Sequence, residues 1–206
     1  MTVEENITTI TRLRSYRKTY LSMLISSTLS LVASLVLSHD AIKLAANPTS
    51  KLFCDLNAVV SCGKVAKSWQ ANLLGFPNAF LGLMTEPVVI TLAVAGLSLV
   101  VFPRWFLRLA HLIYTAGLIF ALWLLSQSFF VIKAFCPWCL LVTISTITVF
   151  STMSRIAIKE NLWSLPENIN IKTNNFLDRG WGRFFYVAIY SFLALAIFIR
   201  YGDHFL

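Results

Sequence analysis

At 206 residues, 57% hydrophobic and only 13% charged, with a mean hydropathy of +0.73, the chain carries about half the charge of an ordinary soluble domain, which is roughly 25%. That composition excludes a disordered chain, a soluble one-core enzyme and a disulfide-dense miniprotein, and leaves an all-α integral membrane protein. The net charge of +8 reads as topological anchoring by Lys and Arg, not as a nucleic-acid footprint.

A crossing helix takes about 20 mostly apolar residues. Five segments supply one: Tyr20–Ser38, Phe76–Phe102, Leu109–Phe130, Cys136–Ser154 and Phe184–Ile199. The expected organisation is a core over residues 1–155 with a long outer loop at 39–75, a polar connector at 156–183 carrying no chemistry, and a fifth transmembrane helix within 184–206. The first apolar run is too long for the h-region of a signal peptide, and no A-x-A cleavage site follows it. Eleven Lys and Arg residues fall before span one, between spans two and three, and between spans four and five, against six on the opposite side. The heavier side is expected in the cytoplasm.

Along span one, Ser22, Ser26, Ser30, Ser34 and Ser38 form an i,i+4 stripe, which suits close helix packing in lipid. The outer loop is long enough to expect a function for it, and Trp69 and Phe76 suit a lid. In span two, Glu86 lies roughly 13 Å deep at 1.5 Å per residue. An ionisable group at that depth is a functional candidate. Two readings stand for it: a proton relay, or an interior hydrogen bond beside the Pro87 kink. His111 and the remaining tryptophans read as interfacial or lipid-facing.

Four cysteines carry the chemistry: Cys54 and Cys62 in the first outer loop, Cys136 and Cys139 at the start of span four. An even number of spans separates the two pairs, so they share a face whichever way the protein sits. Cys136-Pro137-Trp138-Cys139 is a C-x-x-C at a helix start, where Pro suits the first position and the helix terminus stabilises a thiolate. Cys139 lies one turn further in, on the same face. Inert disulfides and a four-thiolate zinc site are the alternatives. Residues i and i+3 on a helix make poor staples, and C-x7-C falls outside usual zinc spacing. A redox relay accounts for both pairs: an external dithiol reduces the loop pair, and the loop pair reduces the helix pair. The last acceptor must take two electrons from within the membrane, and a quinone meets both demands. The competing class is a disulfide-stapled scaffold or transporter without catalysis.

Cys54-Asp55, Ser61-Cys62, Asn78-Ala79-Phe80-Leu81-Gly82 and Phe135-Cys136-Pro137-Trp138-Cys139 together resemble the vitamin K epoxide reductase family over roughly residues 20 to 155. The resemblance implies a four-helix bundle around a quinone, menaquinone or ubiquinone, in the bacterial cytoplasmic membrane with its cysteines on the periplasmic face. It implies that Cys54 exchanges with a thioredoxin-like partner, that Cys62 passes electrons to Cys136, and that Cys139 faces the quinone ring. Asn78 matches the family's pocket asparagine. Thr143 stands where animal members carry a tyrosine, so the resemblance implies quinone reduction and leaves epoxide reduction open. Some bacterial members have a fused thioredoxin domain where this chain has its further helix, so the partner is expected to be a separate periplasmic dithiol oxidase.

Overall fold

The computed structural model describes residues 14–56, 60–164, 166–178 and 191. Its elements are α1 (Arg17–Ala46), α2 (Cys62–Ala66), a 3₁₀ turn (Trp69–Asn72), α3 (Ala79–Leu97), α4 (Arg104–Gln127) running into a π-helical turn (Ser128–Ile132), α5 (Pro137–Lys159) and α6 (Glu167–Asp178). The described part of the chain contains four helices long and apolar enough to cross a membrane: α1, α3, α4 with its π turn, and α5. They coincide with the first four expected spans. The fifth, 184–199, lies outside the described residues. Two compact units divide at Thr152 and Met153, within α5.

In the first unit, α1 and α3 run antiparallel in close contact, and sequence dictates where. A Cβ on Gly82 would overlap the Ser34 side chain, and one on Gly96 would overlap the Tyr20 ring. Between these points Ser30 donates to Glu86 at 2.7 Å. Four residues forward on α3 match four back on α1 from Gly82 to Glu86, and ten match ten from Glu86 to Gly96, so the register is continuous. Ser30, Ser34 and Ser38 are all buried, as the packing reading of the serine stripe expects. Small residues let the backbones approach, and in lipid that close packing holds helices together.

Three boundaries differ from the expected ones. Helix α1 continues past Ser38 to Ala46, where the Asn47 N–H still bonds Lys43 O at 3.0 Å. The polar pair His39-Asp40 marks the end of the apolar run, but Asp40 is buried, so the helix keeps a packed face and the outer loop begins at Asn47. Helix α3 stops at Leu97, short of Phe102, because Leu99 turns left-handed (φ 63°). In the second unit, α5 ends in turns with Asn161 and Ser164 at φ 43° and 51°, and the expected connector contains α6. The carbonyl just ahead of it, on Pro166, accepts from Ile169 and Asn170 N–H at 2.9 and 3.0 Å, so proline stands at the helix start, where its missing N–H costs nothing.

Candidate functional site

The loop pair is built around one carboxylate. Asp55 Oδ1 accepts from the Ser61 hydroxyl at 2.7 Å and the Gly63 N–H at 2.8 Å, and Oδ2 accepts from the Leu52 N–H at 3.0 Å. Asp55 neighbours Cys54 in sequence, and Ser61 and Gly63 flank Cys62. The three bonds therefore bring the two cysteines together, and they form a disulfide with a Cα–Cα distance of 5.6 Å. A Cβ on Gly63 would come within 2.8 Å of Asp55 Oδ2, so that position has room only for glycine. The Ser61 hydroxyl also caps α2 by accepting from Lys64 N–H at 3.1 Å. Burial raises the Asp55 carboxyl, but the N–H of Leu52, the hydroxyl of Ser61 and the N–H of Gly63, with Lys67 nearby, outweigh it and hold it below the usual carboxylate range.

The helix pair is delivered by the turn after α4. Lys133 adopts a left-handed conformation (φ 53°), and the Ser128 hydroxyl donates to Ala134 O at 2.5 Å. The next residue, Phe135, pairs with Val60 in an isolated parallel bridge, and its carbonyl accepts from Ser61 N–H at 3.1 Å. This bridge places the two motifs side by side. The Cys136 thiol donates to Cys62 Sγ across 3.5 Å, and Cys136 Sγ accepts from Cys139 N–H at 3.3 Å. Cys136 and Cys139 carry free thiols. Cys62, Cys136 and Cys54 are 1%, 2% and 6% exposed, packed with Leu44 and Leu52 and against Leu37, Trp138 and Cys139.

A thiol in van der Waals contact with a disulfide sulfur, with an N–H at a helix start aimed at it, is arranged for thiol–disulfide exchange. The two pairs are in opposite redox states, loop oxidised and helix reduced.

Asn78 sits just before α3 and is tied to the outer loop. Its Nδ2 donates to Gln70 O at 2.6 Å, and its backbone N–H donates to Ala71 O at 2.8 Å. Its Oδ1 is buried without a hydrogen-bond partner, an acceptor whose desolvation is uncompensated by the protein. Trp69 of the same 3₁₀ turn packs on Trp123 of α4 with ring centroids 6.2 Å apart. Thr143 is buried one turn beyond Cys139 and donates back to the Cys139 carbonyl at 2.9 Å.

Glu86 lies apart from the cysteines, eight residues into α3. Its Oε1 accepts from Ser30 at 2.7 Å and from the Tyr114 hydroxyl at 3.0 Å. The Thr146 hydroxyl stands beside the same phenol, so one buried polar cluster draws on α1, α3, α4 and α5. Sequence reasoning found Glu86 by its depth but missed Tyr114, Gln70, the organising role of Asp55, and Asp40. The adjacency of Asp55 to Cys54, and of Ser61 and Gly63 to Cys62, was the available signal for Asp55.

The chain's relationship to known proteins agrees with this geometry. A family model described as Vitamin K epoxide reductase family matches residues 21–154, which contains all four cysteines, Asn78, Glu86 and Thr143. Among curated proteins, none matches the chain.

Proposed function

The chain belongs to the vitamin K epoxide reductase family, an oxidoreductase family, and from that premise we propose that it is a quinone-linked thiol oxidase serving a separate thioredoxin-like partner. The observation that carries the reading is the 3.5 Å approach of the Cys136 thiol to the Cys62 end of the Cys54–Cys62 disulfide. A partner dithiol reduces the loop disulfide through Cys54. Cys62 then attacks Cys136, Cys54 resolves the resulting mixed disulfide, and two electrons have moved from the loop to the helix pair. The redox states seen here, loop oxidised and helix reduced, are those that follow this transfer.

The residues present fit a quinone near Asn78 and Cys139. A quinone bound there accepts two electrons and two protons. Asn78 has a buried oxygen in want of a donor, which suits the hydroxyl of the reduced product, while its amide nitrogen suits a carbonyl. Cys139, half-buried beside Trp138, holds the thiol that gives up electrons, and Cys136 closes the disulfide with it. Thr143, by bonding the Cys139 carbonyl, steadies the turn that carries that thiol. Glu86 is the buried carboxyl of α3 that would hold a proton for the interior. The acceptor is menaquinone or ubiquinone in a bacterial cytoplasmic membrane, with the cysteines on the periplasmic face.

The test is direct. Purified protein is mixed with a reduced thioredoxin-like partner and decylubiquinone, and quinone absorbance is followed. Turnover with the native chain and none with Cys139→Ala is expected. Equal turnover by Cys139→Ala removes Cys139 from the reaction.

A further inference from the structure

Internal exchange in this site has a proton problem. Each attacking thiol must lose a proton and each leaving thiolate must gain one, yet Cys62 and Cys136 are all but sealed from solvent. Asp55 is the adjacent carboxylate, but its oxygens already accept three hydrogen bonds. One other buried acid lies on the helix face that packs against the cysteine cluster. Leu37 and Leu44 of α1 pack against the cysteine cluster, and Asp40 stands between them at i+3 and i−4, on that same helix face. It is 9% exposed, close enough to Cys136 for its charge to be felt there, and it feels in turn the charge of Asp55, the neighbour of Cys54.

We infer that Asp40 is the proton carrier of the internal exchange, taking the proton of the attacking Cys54 thiol and returning it to Cys136 as that sulfur leaves. In this step the Cys62–Cys136 bond breaks and the Cys54–Cys62 bond forms. The electron pair departs on Cys136, the proton follows through the carboxylate, and Asp40 ends ionised as it began. No outside oxidant or reductant enters. The groups facing Asp40 are His39 and Lys43 on α1, Asp55 in the loop and Cys136 ahead of α5. The inference rests on the proposed relay and adds to it the group that makes exchange possible in a dry site.

The sign of the effect separates this role from a passive one. A hydrogen bond from Cys139 holds the Cys136 thiol below its usual range, and the charge of Asp40 works against it, so if charge were its whole effect, removing Asp40 would speed exchange. Removing a proton carrier slows it. The test uses the full chain carrying Cys139→Ser, in which Cys54, Cys62 and Cys136 interconvert by this one step. Excess maleimide captures Cys54 whenever the Cys62–Cys136 link forms, and peptide mass spectrometry without reduction counts with time the molecules labelled at Cys54 and linked through Cys62 and Cys136, apart from those labelled at Cys136. With Asp40 present, capture is expected to vary little between pH 6 and 8. Asp40→Asn is expected to slow it at least tenfold at pH 6.5 and to make it rise with pH, while Asp40→Glu restores most of the rate and the flat profile.

Capture by Asp40→Asn as fast as with Asp40, with an unchanged profile, overturns the inference and leaves the relay standing. Asp40→Glu as slow as Asp40→Asn also overturns it, marking a packing role. If no Cys62–Cys136 link forms with Asp40 intact, the relay itself fails and the inference falls with it.

Discussion

Replacing Asp55 by alanine removes one small side chain and three hydrogen bonds at once, those from Leu52, Ser61 and Gly63 at 3.0, 2.7 and 2.8 Å. The donors are partly solvated, so each loss is set near the middle of the usual net range, about 1 kcal/mol. Together they come to about 3 kcal/mol, or about a hundredfold in the equilibrium for local opening, at about 1.4 kcal/mol per tenfold. The assay is amide hydrogen exchange of the peptides covering residues 52–64, with the disulfide intact. Protection there is expected to fall about a hundredfold, with α3 and α4 unchanged. Asp55→Asn, which keeps one acceptor oxygen, should fall between. The pH dependence follows with its sign. Because the folded carboxyl lies below its unfolded value of 3.8, its contribution is complete above that value and is lost as pH falls through the lower folded one. Native protection, corrected for intrinsic rates, should therefore hold at pH 5 and drop only below about pH 3.8. Asp55→Ala with loop protection within threefold of native would refute the view that this carboxylate assembles the loop pair.

Cys54→Ala should abolish quinone reduction driven by a protein partner and spare that driven by dithiothreitol, which is small enough to reduce the helix pair at the half-buried Cys139; equal loss with both reductants contradicts the order of the relay. Asn78→Ala removes one amide bond to the quinone, worth about 0.5–1.5 kcal/mol, so the KM for decylubiquinone should rise up to about tenfold, and an unchanged KM takes Asn78 out of the pocket. Glu86→Ala leaves the Ser30 and Tyr114 hydroxyls buried without their acceptor, at a cost of about 2–4 kcal/mol by thermal unfolding. Glu86→Gln, which still accepts from both, should stay within about 1 kcal/mol of native, and equal losses in the two variants would show that the cluster does not depend on that acceptor.

The bundle was legible because its determinants are local in sequence. Twenty-residue apolar runs specify crossing helices, and the small residues Ser34, Gly82 and Gly96 specify where two of them touch. The four cysteines were legible for a similar reason, since spacing and span parity alone put them on one face. What joins the pairs was not. The Val60–Phe135 bridge depends on the left-handed turn at Lys133, a residue type that gives no warning of positive φ. Asp40 fell in the expected outer loop, because an apolar-run argument stops at the first ionisable residue whether it is solvated or buried. Tyr114 drew no reading from the sequence, because its meaning lies in Glu86, 28 positions away. In the connector, the polar patch with Asn168, Asn170, Asn174 and Asn175 outweighed the helix-start signal of Pro166, and α6 went unseen.

The central claim is that electrons cross between Cys62 and Cys136, and it has a direct measurement. In the double variant Cys54→Ala, Cys139→Ala, only those two cysteines remain, 3.5 Å apart in the native arrangement. Mild oxidation with copper–phenanthroline in air, followed by proteolysis and mass spectrometry under non-reducing conditions, should yield a peptide pair linked through Cys62 and Cys136 within one chain, reversible by dithiothreitol. Two free thiols that persist through that oxidation in a protein with native helix content would contradict the contact, and with it the relay.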